Sequence, residues 1–379
     1  MSCPAHRKYP LRQPKNYKPP VPRWQLQLPP GTDRVYTIYV GVQQHASDAL
    51  TQAAASKVKE TITRWITTSA AHETFTFVEG DDEPRSEVWV CYYTDRAAYE
   101  QSAHTLSLPT LHASLSSSAG DGGANNVGLW CERFSTAASR LETNYSGLDY
   151  LPGLAQIRGT AAVEHTYSAY WGAARDRIPD SAHDLFSRSP DDDDDDDDGQ
   201  QQQQQQQTTA PPSIVPTGRG QRLRGTNYEN MVHIRSGQFW EGCEEEEMEA
   251  YESLLEPALM TGLRYLWANP VDTGTVGLRF VRNARGGDGE GCARRRKETC
   301  AAGFFRSLGD LESWAERHPS HKAIYLGAIK HAKTFGPERK MRTWHEVSVL
   351  KAGEARFEYI NCTPKTGVIR FVRLDAEDL

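Results

Sequence analysis

The sequence predicts an α+β protein made of two similar, ferredoxin-like halves. Three observations carry that reading. Runs with strand character alternate with runs of helical period along most of the chain. Two distant stretches, EVWVCYYTDRAAYEQSAHT and TCAAGFFRSLGDLESWAERHPSH, share one order: strand, aromatic pair, acidic cap, then a helix carrying an aromatic residue. Each is preceded by a further strand and helix, which is a βαβ-based unit met twice. A chain of 379 residues has ample core for two such halves.

Residues 1–30 are basic and proline-rich and read as an extended arm. Residues 31–186 make the first half. RVYTIYVGVQ (Arg34–Gln43) is a strand, being β-branched and aromatic with partial alternation. Ala49–Ile66 is an amphipathic helix, with Leu50, Ala54, Val58, Ile62 and Ile66 near one face. Ser86–Thr94 is a strand, Asp95–Leu106 is helical, and Asn126–Thr136 is a third strand. Gly159–Asp184 reads as a strand running into a short helix at Tyr170–Arg177, stopped by Pro179. Residues 187–213 carry eight aspartates and a glutamine tract, and are expected to be a disordered insertion.

Residues 214–379 make the second half. Asn230–Trp240 is a strand ending in a polar turn. Glu244–Asn269 is a long helix with an acidic first turn and an expected kink at Pro257. Thr275–Asn283 and Thr299–Ser307 are strands, separated by a glycine-rich basic loop that lacks a phosphate-binding pattern. Leu308–Phe335 is helical, and a strand pair spans Trp344–Cys362.

Bulk properties exclude several classes. Apolar residues are 38% and charged residues 25%, as in an ordinary soluble protein. No apolar run approaches the ~18 residues of a membrane span, and the basic N-terminus lacks the apolar core of a secretory signal. The formal charge of −7 comes from the run Asp191–Asp198; without it the body is near neutral, which gives no ground for nucleic-acid or membrane partners. Seven cysteines, an odd number without zinc spacing, fit a reduced cytoplasmic setting.

Two histidines stand out. In HPSHKAIY, Pro319 suits a first helical turn and places His321 just inside a helix. An imidazole there is either a hydrogen-bonded core residue or an axial haem ligand. In WHEVSVL, His345 shares a strand face with Val347 and Val349 and so faces inward. It is either bonded to a backbone carbonyl or to Glu346, or available as a general acid or base. Ser236, read at a strand end before Gly237, either orients a ligand or caps a turn. Arg175 and Arg177 close a short helix, where the dipole alone favours cations. No nucleophile triad, dinucleotide fingerprint, P-loop or HExxH motif occurs.

Taken together, EHTYSAYWGAARDRIPDSA, HIRSGQFW, HPSHKAIYLGAIKHAKTF, WHEVSVL and FEYINCTPKTG resemble, in order and spacing, the haem-containing aldoxime dehydratases. The resemblance covers nearly the whole chain after the arm and is most specific in the C-terminal third. The Asp/Gln run and part of the loop between Thr105 and Asn125 depart from it. It implies a lyase that dehydrates aldoximes, phenylacetaldoxime for example, to nitriles on haem b, ferrous in the active state. It also implies a β-barrel-like sheet core with surrounding helices, and a homodimer. By motif, His321 would ligate the iron and His345 would be the distal acid–base residue. Ser236 would bond the substrate oxygen, and Arg175 would be the pocket arginine, with its neighbour Arg177 the alternative. A haem-binding sensor or carrier, or a peroxidase-type or chlorite-dismutase-type protein, would use the same scaffold differently.

Overall fold

The computed structural model describes residues 7–115, 125–187, 212, 214–284 and 296–379. The Asp191–Asp198 run, the glutamine tract and most of the glycine-rich basic loop lie outside the described residues.

Fourteen strands form one antiparallel sheet. They are β1 (Arg23–Gln27), β2 (Arg34–Gln44), β3 (Ala71–Gly80), β4 (Glu87–Tyr93), β5 (Val127–Ala137), β6 (Leu141–Tyr145) and β7 (Ala161–His165). The second set is β8 (Gln221–Thr226), β9 (Met231–Phe239), β10 (Thr275–Asn283), β11 (Glu298–Phe305), β12 (Arg342–Leu350), β13 (Ala355–Ile360) and β14 (Asp375–Asp378). Their order is β14-β8-β13-β5-β2-β4-β3-β10-β11-β9-β12-β6-β1-β7. Two four-strand sets meet at the β3–β10 pair. The first reads β5-β2-β4-β3 outward to the junction, and the second repeats that order from its far end, β12-β9-β11-β10. The sheet is a mixed helix-and-strand architecture in which helices cover one face of each set.

A matching detail marks both sets. Gly41 of β2 lies opposite Trp130 of β5, and Gly237 of β9 lies opposite Trp344 of β12. A Cβ on either glycine would meet the facing indole, at 2.0 Å on Gly41 and 2.1 Å on Gly237. Each glycine therefore lets a tryptophan lie flat over the neighbouring strand. An arginine covers each ring: Arg279 over Trp130 at 3.9 Å and Arg235 over Trp344 at 4.5 Å.

The sheet curls so that distant strands face each other across an inner core. Phe134 of β5 packs against Phe304 of β11, and His233 of β9 lies 4.5 Å from the Phe134 ring. Arg235 of β9 pairs with Glu73 of β3 at 2.7 Å, and Arg279 of β10 with Glu132 of β5 at 2.7 Å. All four are buried, so each charge persists only because it is paired.

Several local expectations shift. The arm is docked on the body: Arg23–Gln27 is a strand that pairs with β7 and meets β6 at Trp24, and Arg12 bonds Glu312 at 3.2 Å. The helix around Pro257 runs on: the backbone stays helical from Glu245 through a π-helical turn, Tyr251–Leu255, into Glu256–Ala268, where Pro257 stands in the first turn and its missing N–H is tolerated. Leu50 is exposed, whereas Ala54, Val58, Ile62 and Ile66 are buried as expected. The two halves also exchange strands: β13, β8 and β14 continue the first set, and β6, β1 and β7 the second.

Candidate functional site

The helix Pro319–Phe335 starts where the preceding helix, Leu308–Arg317, stops. His318 separates them in extended conformation and caps the second, its ring accepting from Ser320 N–H. The break leaves carbonyls in the last turn of the first helix without intrahelical donors. The carbonyl of Ala315 is one of them, and His321 Nδ1 lies 3.1 Å from it. A carbonyl only accepts, so Nδ1 carries the proton and the Nε2 lone pair is left available. Tyr170 donates its hydroxyl to the same carbonyl. Burial lowers the His321 pKa to about 4, with the Ala315 bond opposing, so the ring is neutral at physiological pH.

His345 lies on the opposite wall, in β12. It does share its face with Val347 and Val349, and that face looks toward the helices. Its register partners are Asn144 of β6 and Ser236 of β9. Ser236 in turn lies opposite Ala301 of β11. Ser236 is thus in mid-strand, not at a strand end, because Gly237 continues the ladder under Trp344.

Trp171 donates its indole N–H to His345 Nε2 at 3.2 Å. His345 Nδ1 and the Asn144 side-chain amide are buried without partners. The His345 pKa is driven well below 6.5 by burial, then by Arg177, Arg23 and His321.

His321, His345, Ser236 and Trp171 line one cavity. Its remaining walls are mostly aliphatic, including Leu259, Leu263, Leu266, Leu278 and Ile324. An apolar slot with a neutral, oriented imidazole on one wall fits a haem. The residues that would hold it are His321 and the aliphatic lining.

Arg175 is not brought to this cavity. It bonds Glu312 through Nε and Nη2, at 3.2 and 3.1 Å, and the Leu185 carbonyl. Arg177 forms a fully buried pair with Glu142 at 2.6 Å and exerts the largest effect of any charge on His345. Sequence reasoning missed Arg23, Trp171 and Asn144. Arg23 is hidden among prolines, and neither Trp171 nor Asn144 belongs to a period that marks a site.

The haem-containing dehydratase family matches residues 38–368. The chain belongs to that family. Its relatives include the phenylacetaldoxime dehydratase of Bacillus sp. (strain OxB-1), 28% identical over 94% of this chain and 93% of that one. The aliphatic aldoxime dehydratase of Pseudomonas chlororaphis is 29% identical over 98% and 96%. A crystal structure of an aldoxime dehydratase superposes with TM-score 0.75 at 28% identity, covering 97% of this haem-containing dehydratase and 96% of that chain. A second, in complex with butyraldoxime, gives TM-score 0.75 at 26% identity, with 97% and 94% covered. Among the described residues of the dehydratase, no helix is long and apolar enough to cross a membrane.

Proposed function

We propose that this haem dehydratase converts aldoximes to nitriles and water in the cavity between His321 and His345. The observation that carries the reading is the cavity itself. A neutral imidazole with its Nδ1 tied stands on the helix wall, and a second imidazole beside a hydroxyl stands on the sheet wall. His321 would hold the haem iron, and a ferrous haem there would supply the electron density that N–O cleavage needs.

The rest belongs to the chain. The oxime oxygen leaves as water only if it gains a proton, and the neighbouring carbon must lose one. The two transfers cancel, so one imidazole serves both. His345 is neutral at rest, because burial and nearby cations depress its pKa; it takes the carbon proton and, once protonated, is a strong donor to the leaving oxygen. Its Nδ1 is buried, so exchange with the cavity runs through Nε2, and Trp171 gives up its hydrogen bond there. Ser236, the cross-strand neighbour, orients the oxygen. The arginine that acts at the centre is Arg177 rather than Arg175. It is held by Glu142 and biases His345, while Arg175 is engaged with Glu312. A sensor or carrier would need only His321.

The same reading includes the ferredoxin-like duplication, a homodimer and a cytoplasmic location. The repeated strand order and the paired Gly/Trp/Arg clusters support the first. The free thiols of Cys91, Cys131, Cys243, Cys300 and Cys362 agree with a reducing compartment.

The test is anaerobic turnover. Dithionite-reduced protein is mixed with phenylacetaldoxime or butyraldoxime, and the Soret band and nitrile are followed together. Nitrile formed only in the reduced state is expected. Bound haem with no nitrile from either oxime would remove the lyase reading and favour a sensor or carrier.

A further inference from the structure

The cavity also holds a cation that this chemistry does not use. Arg23, in β1, lines the cavity and is partly buried. Its Nη1 donates to Thr343 Oγ1 at 3.3 Å. Among the described residues no carboxylate pairs with it. Arg177 nearby differs, being paired with Glu142, whereas Arg339 donates to the Ser146 carbonyl. Burial, then Arg339 and Arg177, lowers its pKa to about 10, while Tyr325 and Tyr17 oppose. A desolvated guanidinium crowded by like charges and lacking a counter-charge is unfavourable unless a ligand supplies one.

The position narrows the ligand. Thr343 is two residues before His345 on the same face of β12, roughly 7 Å along the strand. Tyr325 is one helical turn beyond His321. Arg23 therefore stands to one side of the line between the two histidines, not at the reacting centre. An aldoxime is neutral and offers no full charge there. A haem has an apolar macrocycle, matching the aliphatic walls, and two carboxylates on one edge.

We propose that Arg23 binds a propionate carboxylate of the haem, and that β1 exists in the sheet to deliver it. The proposal rests on the reading of the cavity as a haem site. It explains why a strand of the proline-rich arm is threaded between β6 and β7. The guanidinium fork suits a carboxylate better than any other ligand of that charge and size.

The experiment compares haem with its dimethyl ester, which keeps the macrocycle and iron and loses both charges. Wild-type, Arg23→Gln and Arg23→Lys proteins are reconstituted with each, and release to an excess haem scavenger is timed by Soret absorbance. The wild-type protein is expected to retain haem about tenfold to hundredfold better than the ester. The Gln variant should hold the two alike, and the Lys variant should fall between. A Gln variant that releases both faster with the wild-type ratio preserved would overturn the proposal, because Arg23 would then act only through β1. An unchanged ratio with a raised KM for the aldoxime would overturn it in favour of a substrate contact. A wild-type protein that takes up neither porphyrin would refute the haem reading itself.

Discussion

One lateral row of side chains is met twice in the sheet, with opposite outcomes. In the first four-strand set the row facing the helices reads Cys131–Val40–Trp89. In the second it reads His345–Ser236–Ala301, one residue before the same Gly/Trp pair on β9 as Val40 is on β2. Trp89 is buried in one core cluster with Val58, Ile62 and Trp65 of the Ala49–Ile66 helix. Ala301 gives that volume back, and the helices over it enclose the cavity. The site is thus made as much by the missing indole as by the two histidines. One register position carries an indole in one half and a methyl group in the other.

Four changes test that comparison, the largest effect first. His321→Ala removes the oriented ligand, and the protein should lose stoichiometric haem and with it all turnover; full retention of the Soret band would show that another residue ligates the iron. His345→Ala should keep haem and lower kcat on the order of 10²–10⁴-fold; turnover within a fewfold of wild type would remove His345 from proton transfer. The third change is a reciprocal pair across the two rows. Ala301→Trp should fill the cavity and exclude haem with the apo-protein's thermal midpoint nearly unchanged. Trp89→Ala should do the reverse, costing about 3–5 kcal/mol in denaturant unfolding while haem stoichiometry holds. If Trp89→Ala also abolished haem uptake, the halves would not be separable in this way.

The smallest effect concerns pH. His321 has a folded pKa of about 4, below the unfolded value of 6.5. Between those values the unfolded chain binds the proton and the folded one does not, so this residue's stabilising contribution is full above 6.5 and is lost as pH falls toward 4. The imidazole stays neutral until about pH 4, and with His321 as the proposed ligand haem affinity should be flat from pH 7 to 5. A tenfold fall by pH 5, read by Soret titration, would mean that the imidazole is not shielded as described.

What the sequence made legible follows from what patterns encode. Strong alternation and capping identified β2, β4, β5, β9 to β13 and both helices around His318. β3 was missed although Phe75 and Phe77 alternate, because acidic and threonine neighbours dilute the signal. β1 was missed because prolines flank five residues whose only reason to be extended is pairing with β7. His321, His345 and Ser236 were found through motifs and do line one cavity. Arg175 was misplaced because spacing in a short 3-10 helix says nothing of partners, and the carboxylate that holds it, Glu312, is 137 residues away. A cavity, likewise, is an absence, and periodicity records only what is present.

The placement of His345 and Ser236 has one more consequence. They are adjacent rungs of a hydrogen-bonded ladder, so their backbones are about 4.8 Å apart by the dimension of the sheet itself. Neither sits on a loop whose breathing could open that gap. On heating, the imidazole and the hydroxyl should therefore keep their mutual spacing until the strands separate, and the sheet wall of the cavity should fail only together with the fold.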